Sequence, residues 1–178
     1  MPEIYAPPGL VPSSDTGPAI AAAVISLLTA DPELGTGGAL GVLWIGDRYE
    51  QPPAGAREWQ SFEKAKRPAI AVHVTRRSSS PVLTMSRVTV FEVAIATSVD
   101  AADNVDGREL SEKIKDRALS VIGAVRGSGV FISGAQIAME PDSEQAGTPV
   151  LAGKNANLFL CESTIDLGVL WSGVATEV

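Results

Sequence analysis

The chain has 178 residues, the size of one ordinary domain, and its 45% apolar and 20% charged content exclude global disorder. A chain of this length buries roughly 70% of the surface its unfolded form exposes, so it needs neither a disulfide nor a metal to hold a core. Its 21 acidic residues outnumber 14 basic ones, for a net charge of −7, which argues against a protein whose affinity comes from a basic nucleic-acid-binding face.

Charge is zoned along the chain. Residues 1–47 hold five acidic groups and no basic one; residues 48–87 hold eight basic and three acidic; the remainder holds six basic and thirteen acidic. Such zones either make a mixed solvated surface or steer copies of the chain head to tail. Cys161 is the single cysteine, which rules out an intrachain disulfide, and its apolar strand-like surroundings mark it as a small core residue. The longest apolar run, Ala19 to Leu28, is broken by Ser26 and falls well short of the roughly 20 residues that span a bilayer. The first basic residue is Arg48, so a secretory leader with a positive n-region is not expected, and the chain reads as soluble and cytosolic.

In chain order, residues 1–14 contain Pro2, Pro7, Pro8, Pro12 and Gly9, which exclude a helix and favour an extended arm. Ile4, Tyr5, Leu10 and Val11 give that arm apolar anchors, so it either lies against a neighbouring subunit or folds back on its own domain. Residues 15–178 are expected to form one domain. Ser14 or Asp15 caps a helix over Pro18 to Thr29 whose small-residue face allows close packing, and Asp31-Pro32 ends it. A glycine loop follows, then an apolar run, Leu40 to Ile45, that predicts a buried strand. Gly46 to Ala56 reads as a loop, and Arg57 to Lys66 as a short helix with Trp59 and Phe62 on one side.

Ala69 to Arg76 alternates, with Ile70, Val72 and Val74 on one face; Val88 to Thr97 alternates with Phe91, Val93 and Ile95. Arg77-Ser78-Ser79-Ser80-Pro81 between them is rich in turn residues, which predicts an antiparallel hairpin with a long tip and a second strand starting as early as Val82. Asp103 or Asn104 starts a long helix with Leu110, Ile114, Ala118, Val121, Ile122 and Val125 on one face. Glu109 and Lys113 pair along its other face, and Gly127 suits the C-cap. Val130 to Met139 and Leu158 to Trp171 read as strands around a long loop, Glu140 to Asn157, whose strong apolar residues are Val150 and Leu151. The fold class is α+β: a single domain with a mostly antiparallel sheet, and a long amphipathic helix and an N-terminal helix packed on one face.

Ligand motifs do not hold up. Gly147 to Asn155 resembles a phosphate-binding loop but has one residue too many, Asn155 in place of the magnesium-binding hydroxyl, and Pro149 inside it. Gly35, Gly37 and Gly41 place the third glycine of a dinucleotide fingerprint one position late and precede a strand. Asp100, Asp103, Asn104, Asp106 and Gly107 resemble a calcium loop, yet the frame puts Ala102 and Lys113 at the two end ligands; helix capping explains these acids better. Ser61 and Lys64 have Ser-x-x-Lys spacing without the companion motifs. His73 is the only imidazole and is expected to be half-buried or on the surface, which leaves too few ligands for zinc and no triad without it. No catalytic residue, cofactor or metal is expected.

The basic zone carries more information. Arg76 and Arg77 are expected to cap the hairpin tip, with Lys64, Lys66 and Arg67 just before the first strand. Apart from Trp59 and Phe62 it lacks the interleaved aromatics of a nucleic-acid site, and an acidic neighbouring subunit suits it better, while a plain solvated face outweighs both readings.

The order of elements (N-terminal helix Pro18 to Thr29, alternating hairpin, long helix Arg108 to Val125, closing strand Leu158 to Trp171) resembles the tail terminator, or tail completion, proteins of long-tailed bacteriophages. The resemblance implies a mixed α/β structural subunit of the virion, assembled in the host cytoplasm as a hexameric ring. Such a ring caps the tail tube, stops its growth and joins it to the head-side connector, while DNA passes through without specific binding. The implied partners are other copies of the chain, the tail tube protein and the connector. The resemblance carries no residue roles. Arg76 and Arg77, and the arm through Tyr5 and Leu10, are the candidate contact residues. The Pro-rich arm and the long loops depart from the pattern, which keeps another neck or head-completion connector protein open. Two different classes also stay open: a small carboxylate-dependent enzyme or ligand-binding domain using His73, and a nucleic-acid-binding module built on residues 57–87.

Overall fold

The computed structural model describes residues 16–47, 67–83, 86–100, 103–124, 131–132, 135–138, 144–152 and 158–172. The elements are α1 (Thr16–Ala30), β1 (Trp44–Asp47), β2 (Ala69–Leu83), β3 (Ser86–Asp100), α2 (Asn104–Ala124), β4 (Phe131–Ile132), β5 (Ala135–Ala138), β6 (Glu144–Gln145), β7 (Val150–Ala152) and β8 (Leu158–Ser172). The strands make one eight-stranded sheet in the order β1-β2-β3-β8-β5-β4, with β6 and β7 also paired to β8. Every pairing is antiparallel except β1 with β2. This is the α+β fold that the alternation predicts.

Three strands of 15 residues, β2, β3 and β8, form the centre. Their register sets two faces. Ile70, Val72 and Val74 lie opposite Thr97, Ile95 and Val93, and Val93, Ile95 and Val99 lie opposite Ile165, Ser163 and Phe159. These residues pack with Ile20, Val24 and Leu28 of α1 and with Ile114, Ala118, Leu119 and Ile122 of α2 in one core, so both helices cover the same face. Each fully buried Val, Ile or Phe here contributes about 1.5–3 kcal/mol. The second face is built from small residues: Ala69, Ala71, Ala94, Ala96 and Ser98 are buried, with Trp44, Leu158 and Leu160 beside them.

Local chemistry explains the ends of the elements. Asp103 caps α2, its Oδ1 accepting from the amides of Val105 (2.7 Å) and Asp106 (3.4 Å). After α1, Asp31 accepts from the amides of Glu33 (3.0 Å) and Leu34 (3.1 Å) and turns the chain away. Glu109 and Lys113 do pair, at 3.8 Å on the exposed side of α2, where such a pair contributes little.

Four expectations shift. The buried strand expected at Leu40 to Ile45 is instead Trp44–Asp47, because Gly41 takes a φ of +63° that a strand cannot continue through. The single strand expected over Val130 to Met139 is two short ones, β4 and β5, which pair with each other antiparallel; the Ser-Gly dipeptide between them in sequence is a strand breaker that the expectation overlooked. The long loop expected at Glu140 to Asn157 contributes β6 and β7 to the outer side of β8. The Ser-rich segment expected as a hairpin tip is strand: Ser78, Ser79 and Ser80 pair with Val90, Thr89 and Val88. Cross-strand pairing satisfies the backbone of these serines as well as it would that of β-branched residues, so composition alone misplaced the turn. Residues 1–15, with the proposed arm and its cap, the short helix at Arg57 to Lys66, and Gly127 lie outside the described residues.

Candidate interaction surfaces

The long hairpin of β2 and β3 places the basic residues. Arg76 lies opposite Phe91 and Ser78 opposite Val90, so Arg77 is the extra residue of a β-bulge. Arg76 and Arg77 therefore sit midway along β2. They do not cap the tip, because pairing continues to Leu83 opposite Ser86. Tyr5 and Leu10, the other candidate contact residues, lie outside the described residues. Arg67 leaves the surface set altogether: its Nη1 donates to both carboxylate oxygens of Asp100, at 3.1 and 3.0 Å, and its side chain is 12% exposed. The pair ties the start of β2 to the end of β3.

The structure also assigns Asp100 and Asp103 to ion pairing and capping, which accounts for two acids of the calcium-like stretch. Gly147 of the phosphate-loop-like stretch holds its loop against β8 and α2. Its amide donates to Ser163 Oγ at 2.8 Å, its carbonyl accepts from Lys115 Nζ at 3.3 Å, and a Cβ there would overlap the Glu162 carbonyl. His73 is half-buried on the second face, its Nε2 2.9 Å from Thr75 Oγ1. Among the described residues no group of three or more His, Cys, Asp or Glu side chains converges to hold a metal. Nor, among them, is any helix long and apolar enough to cross a membrane.

Two further groups stand out in the structure, the first of which the sequence did not single out. Arg117 of α2 grips Asp31 in two places, Nε to Oδ1 at 3.1 Å and Nη2 to Oδ2 at 2.7 Å, and reaches Glu33 through Nη1 at 3.1 Å. Hydrogen bonds from Arg117 hold the Asp31 carboxyl below the usual range, helped by the Glu33 and Leu34 amides and opposed by burial. The partners are 86 positions apart, so no local pattern announces them. The second group is apolar: Val105 is 65%, Val150 59% and Leu151 47% exposed. Val105 and Leu151 line an open cleft of about 520 Å³ together with Phe159, Arg108, Glu109 and Glu112. Val150 and Leu151 were legible as the apolar part of an otherwise polar loop.

The surfaces differ in charge. Between Arg67 and Phe91 the chain carries Arg76, Arg77 and Arg87 and no acid. In sequence, the stretch from Glu140 to Asp166 holds five acids against Lys154; of these, Glu144 is exposed on β6, and Glu162 and Asp166 belong to β8. Cys161 is buried in β8, and burial pushes its thiol pKa up against the opposing bond to Ser163.

No protein family model matches the sequence, and no curated protein does. Among solved structures, a chain from the virion of native gene transfer agent (GTA) particle is similar over 89% of this chain and 99% of its own, at 17% identity and a TM-score of 0.44.

Proposed function

We propose that the chain is a structural subunit of a phage-like virion, a tail-terminator-like ring protein that caps the tail tube and joins it to the head-side connector. The observation that carries this reading is the central sheet. Three long antiparallel strands lie side by side, with the N-terminal helix and the long amphipathic helix on one face, which is the element order on which the resemblance to tail terminators rests. A subunit of this kind works through surfaces. Its partners are further copies of itself, the tail tube protein and the connector, and DNA traverses the ring without specific binding, which a net charge of −7 suits. The chain is assembled in the host cytoplasm and ends in the neck of the particle.

The test is the native mass of the full chain by light scattering over a concentration series, alone and with purified tail tube protein. A mass near six subunits, or a rise toward it, is the expected result. A strict monomer under both conditions overturns the reading. Binding to the connector but never to the tube reassigns the chain to head completion.

A further inference from the structure

Residues 144–152 run along β8 as a strap. β6 sets Glu144 and Gln145 opposite Ile165 and Thr164, and β7 sets Val150, Leu151 and Ala152 opposite Leu160, Phe159 and Leu158. Between those two short pairings the strap is pinned at Gly147. The Gly147 amide donates to Ser163 Oγ at 2.8 Å, and its carbonyl accepts from Nζ of Lys115 on α2, whose side chain is 12% exposed. A Cβ at Gly147 would overlap the Glu162 carbonyl and lie 3.2 Å from Cys161 Sγ, so the glycine backbone rests directly against the buried thiol.

Burial adds little to these bonds. Glu144, Gln145, Ala146, Thr148, Val150 and Leu151 are exposed, and Pro149 is the buried residue of the strap. Val150 and Leu151, its large apolar side chains, turn 59% and 47% of their surface to solvent. β8 beneath is the reverse: Leu158, Phe159, Leu160, Cys161, Ser163 and Ile165 are buried, and pairing with β3 runs along the whole strand. The free energy of opening a segment follows the apolar contacts and protected hydrogen bonds it loses, so strap and central sheet differ widely in local stability.

We propose that residues 144–152 form a latched strap, which opens as a unit while the central sheet stays folded, and that the bonds from Lys115 and to Ser163 at Gly147 are its latch. Closed, the strap covers the edge of β8 from Leu158 to Ile165, which would otherwise offer its backbone to other chains. Open, it uncovers that edge and Cys161 with it. The device stands apart from the ring reading and needs no second copy of the chain.

Cys161 is the single cysteine, so its labelling in the full-length protein reports the opening. The native thiol stays unmodified during a brief exposure to a thiol reagent. Over hours, labelling should proceed at a rate nearly flat in low urea, because a local opening exposes little surface, and should steepen only where the whole domain unfolds. Lys115→Met removes the donor and keeps the apolar stem. It should raise the rate without urea several-fold, while the urea midpoint moves too little to account for the change. Gly147→Ala should act in the same direction and more strongly, and in both variants faster hydrogen exchange should be confined to the 144–152 peptide. If Gly147→Ala fails to fold, Lys115→Met decides alone. A labelling rate that carries the urea slope of global unfolding from the lowest concentrations upward overturns the proposal. So do variants whose labelling merely follows their urea midpoints, or whose faster exchange spreads over β3 and α2.

Discussion

At Asp31 a single carboxylate serves both a turn and an interhelical tie. It accepts from two amides of its own loop and two nitrogens of Arg117 while its side chain is 6% exposed. Removing it strands those donors, so Asp31→Ala should cost roughly 1–3 kcal/mol, read as a shift of the urea midpoint. Its folded pKa lies below that of an unfolded aspartate, about 3.9. The tie therefore stabilises the fold above that pH and fades as the pH falls from about 4 through the lower folded value. Asp31→Asn should remove this part of the acid dependence, and urea titrations between pH 7 and 2 on both proteins measure it. Ser98 presents the opposite case. Its hydroxyl is buried with no hydrogen-bond partner among the described residues. Ser98→Ala should leave stability unchanged or raise it by up to about 1 kcal/mol, seen as a higher Tm.

At the scale of elements, alternation was a faithful guide where one face is covered. Ile70, Val72, Phe91, Val93 and Ile95 were legible as core from their spacing, and the helices lie on the face they define. Ile114, fully buried between α2 and the sheet, should therefore cost about 2–5 kcal/mol when changed to alanine, whereas Val105→Ser on the exposed start of the same helix should stay within about 0.5 kcal/mol. Thermal melts of both variants decide it. Alternation failed past Arg76, where Ser78 to Pro81 carry turn-like residues yet pair with β3. The bulge explains how the register survives there, and it makes a sharp prediction. Deleting Arg77 removes only the unpaired residue and should give a folded protein, whereas deleting Val74 would throw the rest of β2 onto the wrong face and should abolish the cooperative melt.

For the whole molecule, the legible quantity was charge. Of the basic zone of residues 48–87, Arg76 and Arg77 fall on β2 and Arg87 on β3, whereas the sequence placed Arg76 and Arg77 at a tip and counted Arg67 with them. Arg67 is consumed by Asp100. Charge reversal at Arg76 and Arg77 should lower the native mass in light scattering without lowering Tm, and salt should weaken assembly of the unmodified chain in the same way. The thiol of Cys161 offers an independent check on the fold: a thiol reagent at neutral pH should leave it unmodified in the native protein and label it fully in denaturant, because burial both shields it and keeps it protonated.

The α+β class, helices α1 and α2, the alternating strands and the burial of Cys161 were legible in the chain before folding, because they depend on periodicities and caps written within one segment. Tertiary structure alone decided that Ser78 to Ser80 are strand, that β6 and β7 pair with β8, and that Arg117 belongs to Asp31 and Arg67 to Asp100. Those outcomes depend on which backbone edge or charge happens to lie alongside, and that partner is distant in sequence, where no local pattern can record it.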